Sequence, residues 1–302
     1  HDDAIAVGAL AAHLAEVRAD VVHAHMYRAE TVGMRAVLAL AEIGHRRPYF
    51  VATVHSSRIR SSEDQHLLHA EVPVDRVAPT GAEGTSRYRV DPACFEGQLR
   101  WLRDAGYRTV GLQEWCERML RLEPIAGPAV LLTFDDGCRD FADHAWPLLC
   151  RYGFVATLFV VTDLVGQTNC WDASDGESVP LLGWPELEHL RDEGVQIESH
   201  SSRHARLTGL DINELAKDLA RSRTTLSQRL GLNSRTIAYP HGDADPAVRQ
   251  IAGACGFRYG LSTWSGVSGP GDDPLWLPRL EIAGSDSIEI FAAKVRGDRS
   301  GP

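Results

Sequence analysis

The chain has 302 residues, of which 44% are hydrophobic and 24% charged, the composition of a folded globular protein with length for two domains or one large α/β barrel. A formal net charge of -10 excludes a partner held through a polyanionic backbone, so no nucleic acid is expected. No apolar run approaches the roughly 18 residues of a membrane span, and the six cysteines lack C-x-x-C spacing, which leaves neither a zinc ribbon nor a redox pair.

In chain order, residues 4–19 have helical apolar spacing, 20–23 read as a short strand, 30–43 as a second helix and 49–54 as an apolar strand. This α-β-α-β order marks a Rossmann-like fragment, assigned to residues 1–80. Residues 56–90 are polar, contain Pro73, Pro79, Gly81 and Gly84, and read as a connection that holds the domain boundary. His23, His25, His45 and His55 fall on strand ends and loops, where no metal is expected. The start His1-Asp2-Asp3 shows no basic, apolar leader, so a cytoplasmic location is expected. No oligomeric state follows from the sequence.

Residues 81–302 alternate regularly. Helices are expected at 92–105, 140–152, 185–193, 212–230, 245–255 and 287–296. Strands are expected at 109–110, 130–134, 155–161, 195–198, 236–239, 259–262 and 280–282. Alternation of this kind implies parallel β-structure with right-handed crossovers, and this many units suit a (β/α) barrel. Asp135 and Asp136 follow one strand, His200 and His204 another, and Pro240-His241-Gly242 a third. The C-terminal strand ends of a barrel converge on one face, where barrel enzymes hold their sites.

Two adjacent carboxylates closed by Gly137 can point in different directions, one to a metal and the other free to move protons. His200 and His204 are four apart, and one helical turn would set both imidazoles on one side. Two His and one carboxylate leave a coordination position open, as in catalytic zinc sites. Zinc is the expected ion, and cobalt, nickel or manganese suit the same donors.

The segment from about 87 to 300 resembles the polysaccharide deacetylases of the NodB-homology type, carbohydrate esterase family 4. Thr133-Phe134-Asp135-Asp136-Gly137 is similar to the family's first motif and His200-Ser201-Ser202-Arg203-His204 to its second. The resemblance implies a distorted (β/α) barrel, Asp136, His200 and His204 as metal ligands, and Asp135 as the general base. The third motif, Ile237 to Gly242, departs from the common pattern: Ala238 stands where many members carry an arginine that orients the base. Arg279 is the expected substitute, from a later strand. His241 is the candidate general acid, set against a reading in which it only shapes the pocket. Tyr239 and Pro240 join Trp171, Asp172 and Trp264 as candidate sugar contacts, with core burial the competing reading for Trp171 and Trp264. Trp184 is expected to anchor packing.

The expected activity is removal of an N-acetyl group from an acetamido sugar, free or in a glycan. The alternatives are carbohydrate O-acetyl esterase activity and a non-catalytic carbohydrate-binding protein. Residues 20–28 and 48–57 resemble part of the acceptor-side domain of a GT-B, family 4 glycosyltransferase, so a truncated transferase is a further alternative. Residues 49–55 are also an alternative first strand of the barrel.

Overall fold

A computed structural model describes residues 89–121, 123, 125–172, 178–268 and 272–297, of Asp172 the backbone alone, and before them the backbone of four short strands. The chain divides into two compact units, His1–His66 and Leu67–Pro302. In the first, Val21–His25 (β1) and Tyr49–Thr53 (β2) pair in parallel, with Val21 opposite Tyr49. The helices expected at 4–19 and 30–43 lie outside the described residues. So do the four N-terminal histidine side chains and, apart from these two strands, the glycosyltransferase-like segment.

The second unit contains, in order, Ala70–Pro73 (β3), Arg76–Val77 (β4), Arg89–Val90 (β5), Arg108–Thr109 (β6), Ala129–Phe134 (β7), Thr157–Val160 (β8), Gln196–Ser199 (β9), Thr236–Ala238 (β10), Tyr259–Ser265 (β11) and Leu277–Arg279 (β12). The main sheet runs β12-β11-β10-β9-β8-β7-β3, with β6 also on β7, and every pairing is parallel. It curls, bringing β12 near β3 without hydrogen bonds between them, and forms a parallel half-barrel flanked by helices, as the alternation of elements implies. β4 and β5 form a separate parallel pair.

The helices flanking the sheet are Pro92–Asp104 (α1), Leu112–Arg121 (α2), Trp146–Tyr152 (α3), Trp184–Asp192 (α4), Ile212–Leu230 (α5), Pro246–Ala254 (α6) and Ile288–Arg296 (α7). Their starts follow from local chemistry. The side chains of Asp91, Asp211, Asp245 and Ser287 accept hydrogen bonds from first-turn amides of α1, α5, α6 and α7, and proline opens α1, α4 and α6. β7 is buried throughout, as a strand covered on both faces must be. Val130, Leu132 and Phe134 enter one core layer with Phe95, Leu99 and Phe291, and Leu131 enters another with Trp115, Phe159 and Leu277, the two-residue period of a strand.

Three expectations are corrected. The strand β3 lies inside the presumed connection and pairs with β7, Ala70 opposite Val130, so the barrel unit begins before residue 80. That strand is four residues long and ends in a proline, tolerated because it lies at the sheet edge, and so short a run carries little periodicity. Residues 49–53 pair with β1 and not with β7. The last strand is Leu277–Arg279 and not 280–282, because Leu277 pairs with Leu261 and Arg279 with Ser265. α2 was not foreseen, since only Leu112 and Trp115 of its ten residues are buried. Among the described residues no helix is long and apolar enough to cross a membrane.

Gly260 shows how tightly the strands carrying the site are packed: a Cβ there would overlap the ring and hydroxyl of buried Tyr239. Gly260→Ala is therefore expected to destabilise the fold by about 1–3 kcal/mol through overpacking, read as a lower urea midpoint with an unchanged slope.

Candidate active site

The candidate side chains leave the ends of strands of one sheet. Asp135 and Asp136 follow β7, His200 follows β9, and His241 follows β10 in the short turn Pro240–Gly242. Each exit is a sharp reversal. Asp136 (φ 70°), Ser201 (φ 63°), His204 (φ 57°) and His241 (φ 58°) are the non-glycine residues with positive φ among the described residues, and all belong to this cluster. Strained backbone of this kind persists where the surroundings impose it and concentrates at functional sites.

The surroundings are specific. The expected helical turn carrying His200 and His204 is absent; 201–204 form a loop tied down by side chains. The Ser201 amide donates to Ser199 Oγ (3.2 Å) and the His204 amide to Ser201 Oγ (3.0 Å). Asp218 of α5, fully buried, accepts from the Ser202 amide (2.9 Å), the Ser202 hydroxyl (2.7 Å) and Arg203 Nε (3.1 Å). Asp218 was missed in the sequence, although its place was legible: a carboxylate beside Leu215, Leu219, Ser222 and Leu226 on the buried face of an amphipathic helix.

The loop brings both histidines onto one carboxylate oxygen. His200 Nε2 and His204 Nε2 each lie 3.3 Å from Asp136 Oδ1, and the candidate ligand atoms of the three residues all lie within 4.8 Å of one another. His200 Nδ1 is 2.7 Å from the Ala238 carbonyl, a contact that puts a proton on Nδ1, so that the neutral ring would present its Nε2 lone pair to a metal. Burial pushes the Asp136 carboxyl upward, and the hydrogen bonds and charges of His200 and His204 more than reverse that, holding it well below the usual carboxylate range. One ionised carboxylate and two buried imidazoles converging on a point are a donor set that fits zinc.

Asp135 faces a different partner. Arg279, 2% exposed, donates from Nη1 to Asp135 Oδ1 (2.9 Å) and from Nη2 to Oδ2 (2.7 Å). Its Nε donates to the Ser262 carbonyl (2.9 Å) and Nη1 also to Thr133 Oγ1 (3.3 Å). Burial alone would raise the Asp135 carboxyl, but the Arg279 charge and then His200 lower it below its ordinary value, so Asp135 is ionised. The His241 ring stands edge-on to His204 at 4.5 Å. Partial burial and the neighbouring charges of His204 and Arg206 hold its pKa below the ordinary value.

The expected sugar contacts separate. Trp264, on β11, is 58% exposed. Trp171 stacks on His204, with ring centroids 4.1 Å apart and planes at 26°. Tyr239 is fully buried with its hydroxyl donating to the Leu275 carbonyl (2.9 Å), and Pro240 is buried beside it. Those two side chains belong to the core and are not available to a sugar. The Asp172 side chain lies outside the described residues, and Trp184 packs against the main core, with the Arg229 guanidinium over its ring.

Residues 123–260 match the model of the polysaccharide deacetylase family, a span that contains Asp135, Asp136, His200, His204 and His241, stops before Arg279, and gives no support to the glycosyltransferase-like reading of the N-terminal segment. The chain is 24% identical over 211 residues to the poly-beta-1,6-N-acetyl-D-glucosamine N-deacetylase of Staphylococcus aureus, covering 67% of this chain and 70% of that one. Its structure is similar to that of the Streptococcus pyogenes deacetylase PplD in complex with acetate, at 25% identity and a TM-score of 0.67 over 76% of this chain and 98% of that one. It is likewise similar to IcaB from Ammonifex degensii, at 27% identity and a TM-score of 0.67 over 76% and 97%.

Because the Arg279–Asp135 pair is buried, removing one member strands a charge. Arg279→Ala is expected to cost about 3–5 kcal/mol of stability at neutral pH, measured by urea denaturation, with a smaller loss in the double variant Asp135→Asn, Arg279→Ala. Equal losses in the two would show that the pair is not what holds these strands.

Proposed function

We propose that this chain, whose residues 123–260 match the polysaccharide deacetylase family, is a divalent-metal-dependent hydrolase that releases acetate from an N-acetylated amino sugar of a glycan. The observation that carries the reading is the division of labour between neighbours: Asp136 converges with His200 and His204, while Asp135 is turned away onto Arg279. An N-acetyl substrate is supported by the activity for which the Staphylococcus aureus relative is named.

A divalent ion, zinc by the donor set, would be held by Asp136, His200 and His204 and would supply Lewis-acid polarisation of the acetamide carbonyl and a lowered pKa for water. The residues of the chain do the rest. Asp135, kept ionised and oriented by Arg279, takes a proton from the water that attacks the acetyl carbon. His241, at the exposed rim beside His204, gives a proton to the amine nitrogen as the C–N bond breaks. The products are acetate and the free amino sugar. Trp264 offers an exposed aromatic face for a sugar ring.

Acetate release from N-acetylglucosamine oligomers, with an O-acetylated glycan assayed in parallel, tests this assignment. Asp135→Asn is expected to lower turnover by about 10²–10⁴-fold, the usual contribution of a general base. His200→Ala is expected to lose both bound metal, by elemental analysis, and acetate release, and chelation of the wild type should abolish activity until zinc is restored. Activity that survives complete chelation overturns the metal assignment. Faster turnover of the O-acetyl substrate makes the protein an esterase, and glycan binding with no acetate from either substrate makes it a non-catalytic carbohydrate-binding protein.

A further inference from the structure

The two histidines are oriented by different means. His200 is fixed by its Nδ1 hydrogen bond to the Ala238 carbonyl. His204 is 7% exposed, and its Nδ1 is buried with no hydrogen-bond partner among the described residues. Imidazoles that bind metals almost always use the second ring nitrogen to set their rotation, so something else must set this one. Apart from Asp136 at Nε2, what touches the ring is aromatic. The Trp171 indole lies over one face at 4.1 Å and 26°, and His241 meets it edge-on at 4.5 Å and 65°.

Trp171 is delivered there by a loop built onto the metal-binding turn. The Asn169 amide donates to the Val179 carbonyl (3.0 Å), and Asn169 Oδ1 accepts from the Val179 amide (2.6 Å), closing the base of the loop. The returning strand is sewn to the Asp135-Asp136-Gly137 turn: the Leu182 amide donates to the Gly137 carbonyl (2.9 Å) and the Arg139 amide to the Pro180 carbonyl (2.9 Å). Trp171 then packs against Cys138, Val179, Leu181 and Leu164. The scaffold that places Asp136 therefore also places the indole. Across the same junction the Thr162 and Asp163 amides donate to the carbonyls of Ser201 and Ser202 (3.3 and 2.9 Å), so the histidine loop is held to the same frame.

We infer that Trp171 is a positioning residue for His204: indole stacking, in place of a hydrogen bond, fixes the imidazole so that Nε2 faces Asp136. The inference rests on the metal-site reading above. It also reassigns Trp171 from the sugar contacts, because one face of its ring is occupied by the histidine. Aromatic stacking suits this position, since it restrains rotation of the ring without demanding a second polar group in a buried wall.

The test is zinc affinity of the full chain, measured by competition with a chromophoric chelator, for the wild type, Trp171→Phe, Trp171→Leu and Trp171→Ala. Leucine keeps apolar bulk and phenylalanine keeps a ring that stacks, so a merely structural role predicts that the two behave alike. Positioning predicts that the leucine and alanine variants bind zinc about 10-fold or more weakly, the usual loss when an orienting partner of a ligand is removed, while phenylalanine stays within about 3-fold of the wild type. Melting of the metal-free protein should not separate phenylalanine from leucine, and if the alanine variant does not fold, that pair alone decides. Leucine and phenylalanine variants with equal zinc affinity overturn the inference and leave the metal site standing. A wild type that binds no zinc overturns the metal site and this inference with it.

Discussion

The bidentate contact between Arg279 and Asp135 is the interaction on which the site depends. It joins residues 144 apart in sequence and runs across the inside of the curl, from the edge strand β12 to β7. The arginine is also anchored on the Ser262 carbonyl of β11 and on Thr133 of β7, so three strands meet on one guanidinium. A carboxylate this buried would ordinarily take up a proton; opposite a permanently charged, forked donor it stays ionised. Holding the strands together and keeping a buried carboxylate ionised are thus one contact. A buried ion pair of this kind adds little net stability over an apolar pair of similar size, and its evident effect is the charge it preserves on Asp135.

The second constraint is backbone strain. Placing these side chains at strand ends requires the chain to turn away at once, and Asp136, Ser201, His204 and His241 accept left-handed conformations to do it. Each such residue costs on the order of 1–3 kcal/mol. The offsetting interactions are visible for the histidine loop, where three hydrogen bonds to Asp218 and two serine caps hold the reversal. Small polar side chains between the two histidines follow from this. Ser201 and Ser202 serve the loop itself, leaving the imidazoles free to point at Asp136.

Much of the barrel was legible in sequence because its signals are local. The helix at 212–230 has an acidic cap, a buried stripe and a glycine stop at Gly231, and the strand at 129–134 is an unbroken apolar run. The four central residues Asp135, Asp136, His200 and His204 were legible as carboxylates and imidazoles at strand ends. The geometry between the histidines was not: spacing of four suggests a helical turn, and only the contacts with Asp218 from α5, with the local cap on Ser199, make it a loop. Tyr239 and Pro240 were misplaced for a related reason. A motif marks where the backbone approaches the site, whereas the direction of each side chain is set by register, and here register sends Tyr239 inward to Leu275. Strand β3 is not legible because four residues ending in proline carry too little periodicity to be distinguished from a connection.

The displaced arginine has a structural logic of its own. Ala238 is fully buried and packs with Leu131, Phe159, Leu261 and Leu277, so its side chain enters a core layer with no room for a guanidinium. Its carbonyl meanwhile orients His200. A position that serves the core with its side chain and His200 with its backbone cannot also supply the partner of Asp135. That partner has to come from another strand whose side chain points into the curl, and the pairing of Arg279 with Ser265 sets β12 in that register. The departure at 238 and the arginine at 279 are therefore two halves of one solution, in which the guanidinium reaches the same carboxylate from a different strand of the same sheet.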